Sequence, residues 1–334
     1  MFDPVRPASC HAVLLFLLAS TAAVQSQTSI NDAHIVPRAP GIELASATPG
    51  PRMSGGGLIR SSADLVMVPV TITDNMNRPV TGLDRDNFQV FENKQPQEIK
   101  NFSSEDTPVS IGILMDVSGS MAPKLERARE AVHQFCEASN PQDEFFMITF
   151  SDAPRLATDF TDRPEEIENA LLGVQSRGRT SLLDAIYMGI RKMKDARYSR
   201  RALLIISDGG DNHSRYSDRD VKSAVREADI LIYAVGTYDR YATTQEELLG
   251  PELLQNVAGV TGGQSYTLSN VAEMPEVTRA IGTRLRHQYM LTYRPQTRSR
   301  DGKWHKINVK LLLPKKWATF LRVNARTGYY AGAE

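Results

Sequence analysis

The sequence predicts a doubly wound, mostly parallel α/β sheet over residues 108–287, joined to a second, small all-β domain built from strands on either side of it. Three observations carry that expectation. Short, nearly continuous apolar runs alternate with amphipathic stretches through the middle of the chain, as in strands covered on both faces. A period-two pattern holds before and after them, as in half-covered antiparallel strands. The composition is that of a globular protein: 334 residues, 41% hydrophobic and 23% charged, with 39 Lys+Arg against 39 Asp+Glu. The zero net charge argues against nucleic acid or an acidic lipid as partner, because both reward a basic surface field.

Taken in order, residues 1–26 have the layout of a secretory signal peptide: Arg6 and His11, an apolar run from Ala12 to Val24, and a small-residue exit at Ser26. The expected location is therefore exported, periplasmic or secreted, with no transmembrane segment in the mature chain. Cys10 precedes the apolar run, which disfavours a lipid-anchored precursor. Its removal leaves Cys136 alone, on the apolar face Leu125, Ala128, Val132, Phe135, Cys136, where it reads as core. Residues 27–62, rich in Pro, Gly, Ser, Ala and Thr, read as a flexible linker.

From 63 to 105 the strand pattern begins. Val66, Val68, Val70 and Ile72 share one face, DNMNRP makes a turn, Phe88 and Val90 share a face, and ENKQ makes the next turn. Within 108–287 the expected strands are 110–116, 144–151, 202–208, 230–236 and 263–268. The expected helices run near 121–139, 164–174, 181–195, 218–228, 246–258 and 274–286. Over 288–332 alternation returns, with Tyr289, Leu291 and Tyr293, then Ile307, Val309 and Leu311. These strands are expected to pack with those of 63–105 into one sandwich, with the α/β domain inserted between its halves; separate hairpins are the alternative.

Ligands of such sheets bind beyond the carboxyl ends of the strands. Three clusters fall there or at a helix start: Asp116, Ser118 and Ser120 in DVSGSM, Thr180 in RGRTSLLDAI, and Asp208 in SDGGDN. A carboxylate at a strand end followed two and four residues later by hydroxyls aims three oxygens at one cation, with Gly119 easing the turn. Such hard oxygen donors suit Mg²⁺, with Mn²⁺ or Ca²⁺ as alternatives, and nothing supplies the Cys or His set of a zinc site. A capped turn ahead of a helix is the plainer reading of the first cluster, although it leaves Thr180 and Asp208 unexplained.

Together these three loops resemble the metal-ion-dependent adhesion site of the von Willebrand factor A domain, a resemblance covering roughly residues 108–287. It implies a Rossmann-like fold in which Ser118 and Ser120 ligate the metal directly, Thr180 directly or through water, and Asp116 and Asp208 mainly through water. It further implies a partner protein whose Asp or Glu completes the metal shell, and a final helix, 274–286, that shifts on binding. The flanking strands, including YMLTYRP, DGKWHKINVKL and ARTGYYA, resemble the von Willebrand factor A-related proteins common in acidobacterial genomes, which supplies an architecture but no ligand.

Around these positions, Asp211 and Asn212 suit either a water-mediated role at the metal or an ordinary turn, the latter preferred, and Asp184 either a hydrogen bond near Thr180 or a solvated helix face. Tyr238, Asp239 and Tyr241 are candidate rim residues. Arg177, Arg179, Arg200 and Arg201 are candidates to steer an acidic ligand to the metal edge, with a solvated surface the preferred reading. Lone His213 is given no role. No GxxxxGK[ST], GxSxG, HExxH or strand-following GxGxxG motif occurs, so an enzyme is not expected. A Mg²⁺-dependent phosphotransferase with Asp116 as nucleophile is the enzymatic runner-up, and Ser118 stands where it would need a second carboxylate. A structural or assembly factor of the cell envelope with a stabilising metal is the other alternative.

Overall fold

The computed structural model describes residues 65–237, 245–296 and 301–331. The expected signal segment and linker, and Tyr238, Asp239 and Tyr241, lie outside the described residues.

The chain enters through β1 (Val66–Thr73), β2 (Phe88–Glu92), β3 (Gln95–Gln97) and β4 (Ile99–Ser103). Asn93 and Lys94, both at positive φ (48° and 72°), form the two-residue turn between β2 and β3. Paired positive φ values are what a tight hairpin needs to match the twist of its strands.

The middle of the chain supplies β5 (Ser110–Asp116), α1 (Leu125–Ala138), β6 (Glu144–Phe150), β7 (Pro154–Thr161), α2 (Pro164–Leu171) and α3 (Leu182–Lys192). Then follow β8 (Arg201–Ser207), α4 (Asp218–Glu227), β9 (Leu231–Thr237), α5 (Gln245–Thr261), β10 (Ser265–Leu268) and α6 (Met274–Arg286). Its strands form one six-stranded sheet in the order β10-β9-β8-β5-β6-β7, parallel except at the β6–β7 pair. Ile111, Ile113 and Met115 of β5 pack on α1 and α6, whereas Leu114 joins Phe146, Leu203 and residues of α3, α4 and α5 on the other face. Both faces being covered explains why β5 reads as an unbroken apolar run. Phe146 has no exposed surface, and its truncation to Ala would cost about 3–5 kcal/mol. Cys136 is buried on α1, where loss of solvation pushes its thiol up to about 12.

The last elements are β11 (Tyr289–Tyr293), β12 (Trp304–Leu311), α7 (Lys315–Ala318), β13 (Arg322–Ala325) and β14 (Gly328–Tyr330). They pair antiparallel with strands from the start of the chain into two four-stranded sheets, β13-β1-β11-β4 and β14-β12-β2-β3. Val68, Val70, Phe88, Val90, Tyr289, Leu291, Tyr293 and Ile307 fill one core between them.

Two elements depart from the sequence expectation. Strand β7 sits at the sheet edge with Leu156 and Asp159 exposed, so its residues lack the apolar run that marks its neighbours. The segment 288–332 is not wholly strand, because KKWA makes the short helix α7 between β12 and β13. Among the described residues no helix is long and apolar enough to cross a membrane.

Candidate metal centre

The chain leaves β5 toward β6 on one side and returns to β8 on the other, so the carboxyl ends of β5 and β8 flank the point where the winding reverses. Asp116 is the last residue of β5, and Asp208 directly follows β8. Both are buried, Asp116 completely.

Asp116 Oδ1 accepts the Ser118 backbone N–H at 2.9 Å, and Oδ2 accepts the Ser207 hydroxyl at 2.6 Å. Burial, followed by the nearby charge of Asp208, pushes Asp116 up to about 7. Two carboxylates in one desolvated place repel each other, and a cation relieves both costs. The Lys124 ammonium already lies 3.2 Å from Asp208 Oδ2 and 3.4 Å from the Thr237 carbonyl oxygen, a positive group drawn to the same edge.

The Ser118 hydroxyl does no capping. Ser118 is the N-cap of a short 3-10 segment, Gly119–Lys124, yet its side chain makes no capping bond. Its Oγ instead lies 3.2 Å from the Ser120 Oγ, one buried and the other exposed at the surface. The capped-turn reading therefore fails for the side chain while the backbone does turn as expected.

The Thr180 loop is lashed to this corner by its backbone. Gly119 N–H donates to the Gly178 carbonyl at 3.0 Å, and Arg177 N–H donates to the Val117 carbonyl at 2.9 Å. Gly178 holds φ +84°, and a Cβ there would meet the Asp152 carboxylate at 2.7 Å, so this turn requires glycine. Gly119 does not: a Cβ on it would make an ordinary 3.4 Å contact with Gly178 O.

Thr180 itself lies two residues ahead of α3, whose N-cap is Ser181, so it does not open the helix. Its hydroxyl makes no hydrogen bond among the described residues. The Asn212 side chain accepts the Thr180 N–H at 3.0 Å, and the Thr180 carbonyl accepts the N–H groups of Asn212 and His213. Asp184 is no solvated face: it is buried and accepts the N–H groups of Arg215 and Tyr216. Asp211 accepts the Ser214 hydroxyl at 2.6 Å. These three side chains shape the loop carrying Asp208 and tie it to Thr180.

Two residues of the corner were missed in the sequence reading. Ser207 follows from the fold, since parallel pairing of Met115 with Ile206 sets it beside Asp116. Lys124 carries no local signal, because its contact joins segments 84 residues apart. The less favoured steering role does not suit Arg200 and Arg201: they precede and open β8, at the opposite end of the sheet from Asp208.

The corner thus gathers two carboxylates, a hydroxyl pair and a third hydroxyl loop, all oxygen donors. Among the described residues no group of three or more His, Cys, Asp or Glu side chains is placed to hold a metal ion. A cation here would depend on Ser and Thr oxygens and water, which fits a hard divalent ion better than zinc.

Residues 111–210 match the family model of the von Willebrand factor type A domain. Over 134 residues, 36% of this chain, the sequence is 25% identical to inter-alpha-trypsin inhibitor heavy chain H4 of Homo sapiens and 28% identical to heavy chain H3 of Bos taurus. The matches span 14% and 15% of those relatives' own lengths. Among solved structures, a von Willebrand factor type A protein from Catenulispora acidiphila is similar over 80% of this chain and 75% of its own, at 12% identity and a TM-score of 0.48.

Proposed function

From the match of residues 111–210 to the von Willebrand factor type A domain we propose that the protein is an exported binding or adhesion protein, not an enzyme. On this reading it holds one Mg²⁺, or Mn²⁺ or Ca²⁺, at Asp116, Ser118, Ser120, Thr180 and Asp208. The observation that carries the reading is the Ser118–Ser120 hydroxyl pair, free of any capping duty, beside a buried carboxylate that lacks a counter-charge of its own.

The bound ion would supply an electrophilic position for an acidic side chain of a protein partner. The residues of the chain prepare that position. Ser207 and the Ser118 amide fix the Asp116 carboxylate, Asn212 fixes the Thr180 backbone, and exposed Ser120 marks the side open to a ligand. Export follows from the signal-like residues 1–26.

Calorimetric titration of Mg²⁺, Mn²⁺ and Ca²⁺ into the wild type, Asp116→Ala and the double variant Ser118→Ala/Ser120→Ala tests the site. The expected result is one binding event in the wild type, lost in both variants while circular dichroism is unchanged. Binding indifferent to these changes would remove the reading. Partner capture insensitive to chelator, with chelation lowering only the melting temperature, would instead make this a metal-stabilised structural or assembly protein of the envelope.

A further inference from the structure

The loops at one end of the β-sandwich leave large apolar side chains in solvent. Met76 is 74% exposed, Leu312 54%, Trp317 61% and Phe320 56%. Such groups scattered singly are ordinary, but gathered in one place they mark a contact surface.

Strand pairing gathers them. β12 ends at Leu311, and the next residue, Leu312, donates its N–H to the Asn87 carbonyl at 2.8 Å. In the α7 turn that follows, the Trp317 N–H donates to the Pro314 carbonyl and the Phe320 N–H to the Trp317 carbonyl. Thr73, the last residue of β1, pairs with Arg322, the first of β13, so the Asp74–Arg78 turn carrying Met76 lies at the same end as Phe320. Leu311, Leu321 and Val323 pack on the sandwich core and anchor this end from within.

Charge here is one-sided, although the whole chain is neutral. The segment KLLLPKKWATFLR, 310–322, holds four Lys or Arg and no Asp or Glu. The facing loop, 74–87, holds Asp74, Asp84 and Asp86 against Arg78 and Arg85, and Arg78 pairs with Asp74 at 2.7 Å. Six bases against three acids leave this end a net +3. Glu98, near Arg85, is matched by Lys100 at 2.6 Å. Lys316 Nζ lies 5.7 Å from the Trp317 ring centroid, and neither it nor Arg322 has an ion-pair partner among the described residues.

We propose that this end of the sandwich rests on a membrane surface containing anionic lipid, with Trp317 and Phe320 entering the headgroup region and Lys316 and Arg322 meeting lipid phosphates. Indole and phenyl rings settle at the boundary between headgroups and hydrocarbon, and long basic side chains reach phosphate while their stems lie along apolar surface. Apolar insertion and a local basic charge together supply the two signals that a stable peripheral contact needs. A bilayer asks for no matching cavity, which suits side chains carried on loops. The contact is separate from the cation corner and does not depend on it.

The chain's two tryptophans make the test specific to position, because Trp304 opens β12 and Trp317 lies beyond its far end. The chain without residues 1–26, the form left by export, is mixed with vesicles of phosphatidylglycerol and phosphatidylcholine whose acyl chains carry bromine. In a Trp304→Phe background the fluorescence of Trp317 should be quenched, and in a Trp317→Phe background that of Trp304 should not. Flotation should show binding that EDTA leaves unchanged and that is at least tenfold weaker to phosphatidylcholine alone. The double variants Trp317→Ala/Phe320→Ala and Lys316→Glu/Arg322→Glu, at exposed positions where circular dichroism should not change, should each weaken binding at least tenfold. Absence of flotation, quenching of Trp304 in place of Trp317, or indifference to both double variants would overturn the proposal. So would dimerisation in sedimentation velocity that Trp317→Ala/Phe320→Ala abolishes while vesicles are not bound, a result that would assign the surface to a second copy of the chain.

Discussion

Two buried carboxylates, Glu92 in the β-sandwich and Asp116 in the α/β domain, have opposite arrangements around them. Both Glu92 oxygens are used: His305 Nδ1 lies 2.6 Å from Oε1, while the Tyr293 and Tyr329 hydroxyls reach Oε2 at 2.8 and 3.4 Å. The other ring nitrogen of His305 lies 3.3 Å from Asp301 Oδ1. Burial pulls the His305 imidazolium down, and the hydrogen bonds and charges of Glu92 and Asp301 more than reverse it, leaving its pKa above the ordinary value. Asp116, by contrast, has a hydroxyl and an amide for partners and a second carboxylate for a neighbour. Glu92 is neutralised within the fold and needs nothing from outside; Asp116 is left with a demand for positive charge. The difference separates a carboxylate that holds structure from one that we propose takes a cation.

The largest expected effect breaks the first arrangement. His305→Ala removes the counter-charge of a buried carboxylate and should cost about 3–5 kcal/mol in urea unfolding. Asp116→Asn, measured in EDTA, should leave the unfolding midpoint unchanged or raise it, because it removes a charge the metal-free fold does not compensate. A large loss there would make Asp116 structural in the same sense as Glu92.

Acidity sharpens the contrast next. A histidine whose folded pKa is raised contributes stability that is full below its unfolded value of about 6.5 and is lost as pH rises through the folded value. The stability difference between wild type and His305→Ala should therefore shrink as pH rises above about 6.5, and a difference that stays constant would show that His305 is not charged.

At the proposed cation corner, Lys124→Met removes the ammonium paired with Asp208. Mg²⁺ should then bind about tenfold more tightly, a change of about 1.4 kcal/mol, in calorimetry at fixed ionic strength. Weaker binding would show that Lys124 shapes the corner instead of competing for it. The smallest effect is expected of Asn212→Ala, which frees the Thr180 N–H and should cost about 1 kcal/mol of stability while weakening Mg²⁺ several-fold.

The same two regions show why parts of the molecule were legible in sequence. Strand β5 is an apolar run ending in Asp116 because both of its faces are covered, and the expected bounds coincide with the observed ones. Strand β7 was not legible, since an exposed edge strand selects no apolar pattern. The three loops of the corner stand out because their side-chain types and spacing are local. Lys124 could not be read that way, and neither could the Glu92–His305 pair, whose members are 213 residues apart. Long-range partners are set by which strands pair, and β2 meets β12 only in the folded chain. The edge that receives Arg200 and Arg201 was not legible for a related reason: a basic pair shows its charge in sequence, whereas strand direction decides which edge receives it.

The most direct test of the account is a crystal grown with Mn²⁺, scored by anomalous scattering at the carboxyl ends of β5 and β8. One strong peak is expected within bonding distance of both the Ser118 and Ser120 hydroxyl oxygens, with the Lys124 ammonium displaced from Asp208. No peak at that corner at saturating Mn²⁺, or a peak held only by surface carboxylates elsewhere, would contradict it.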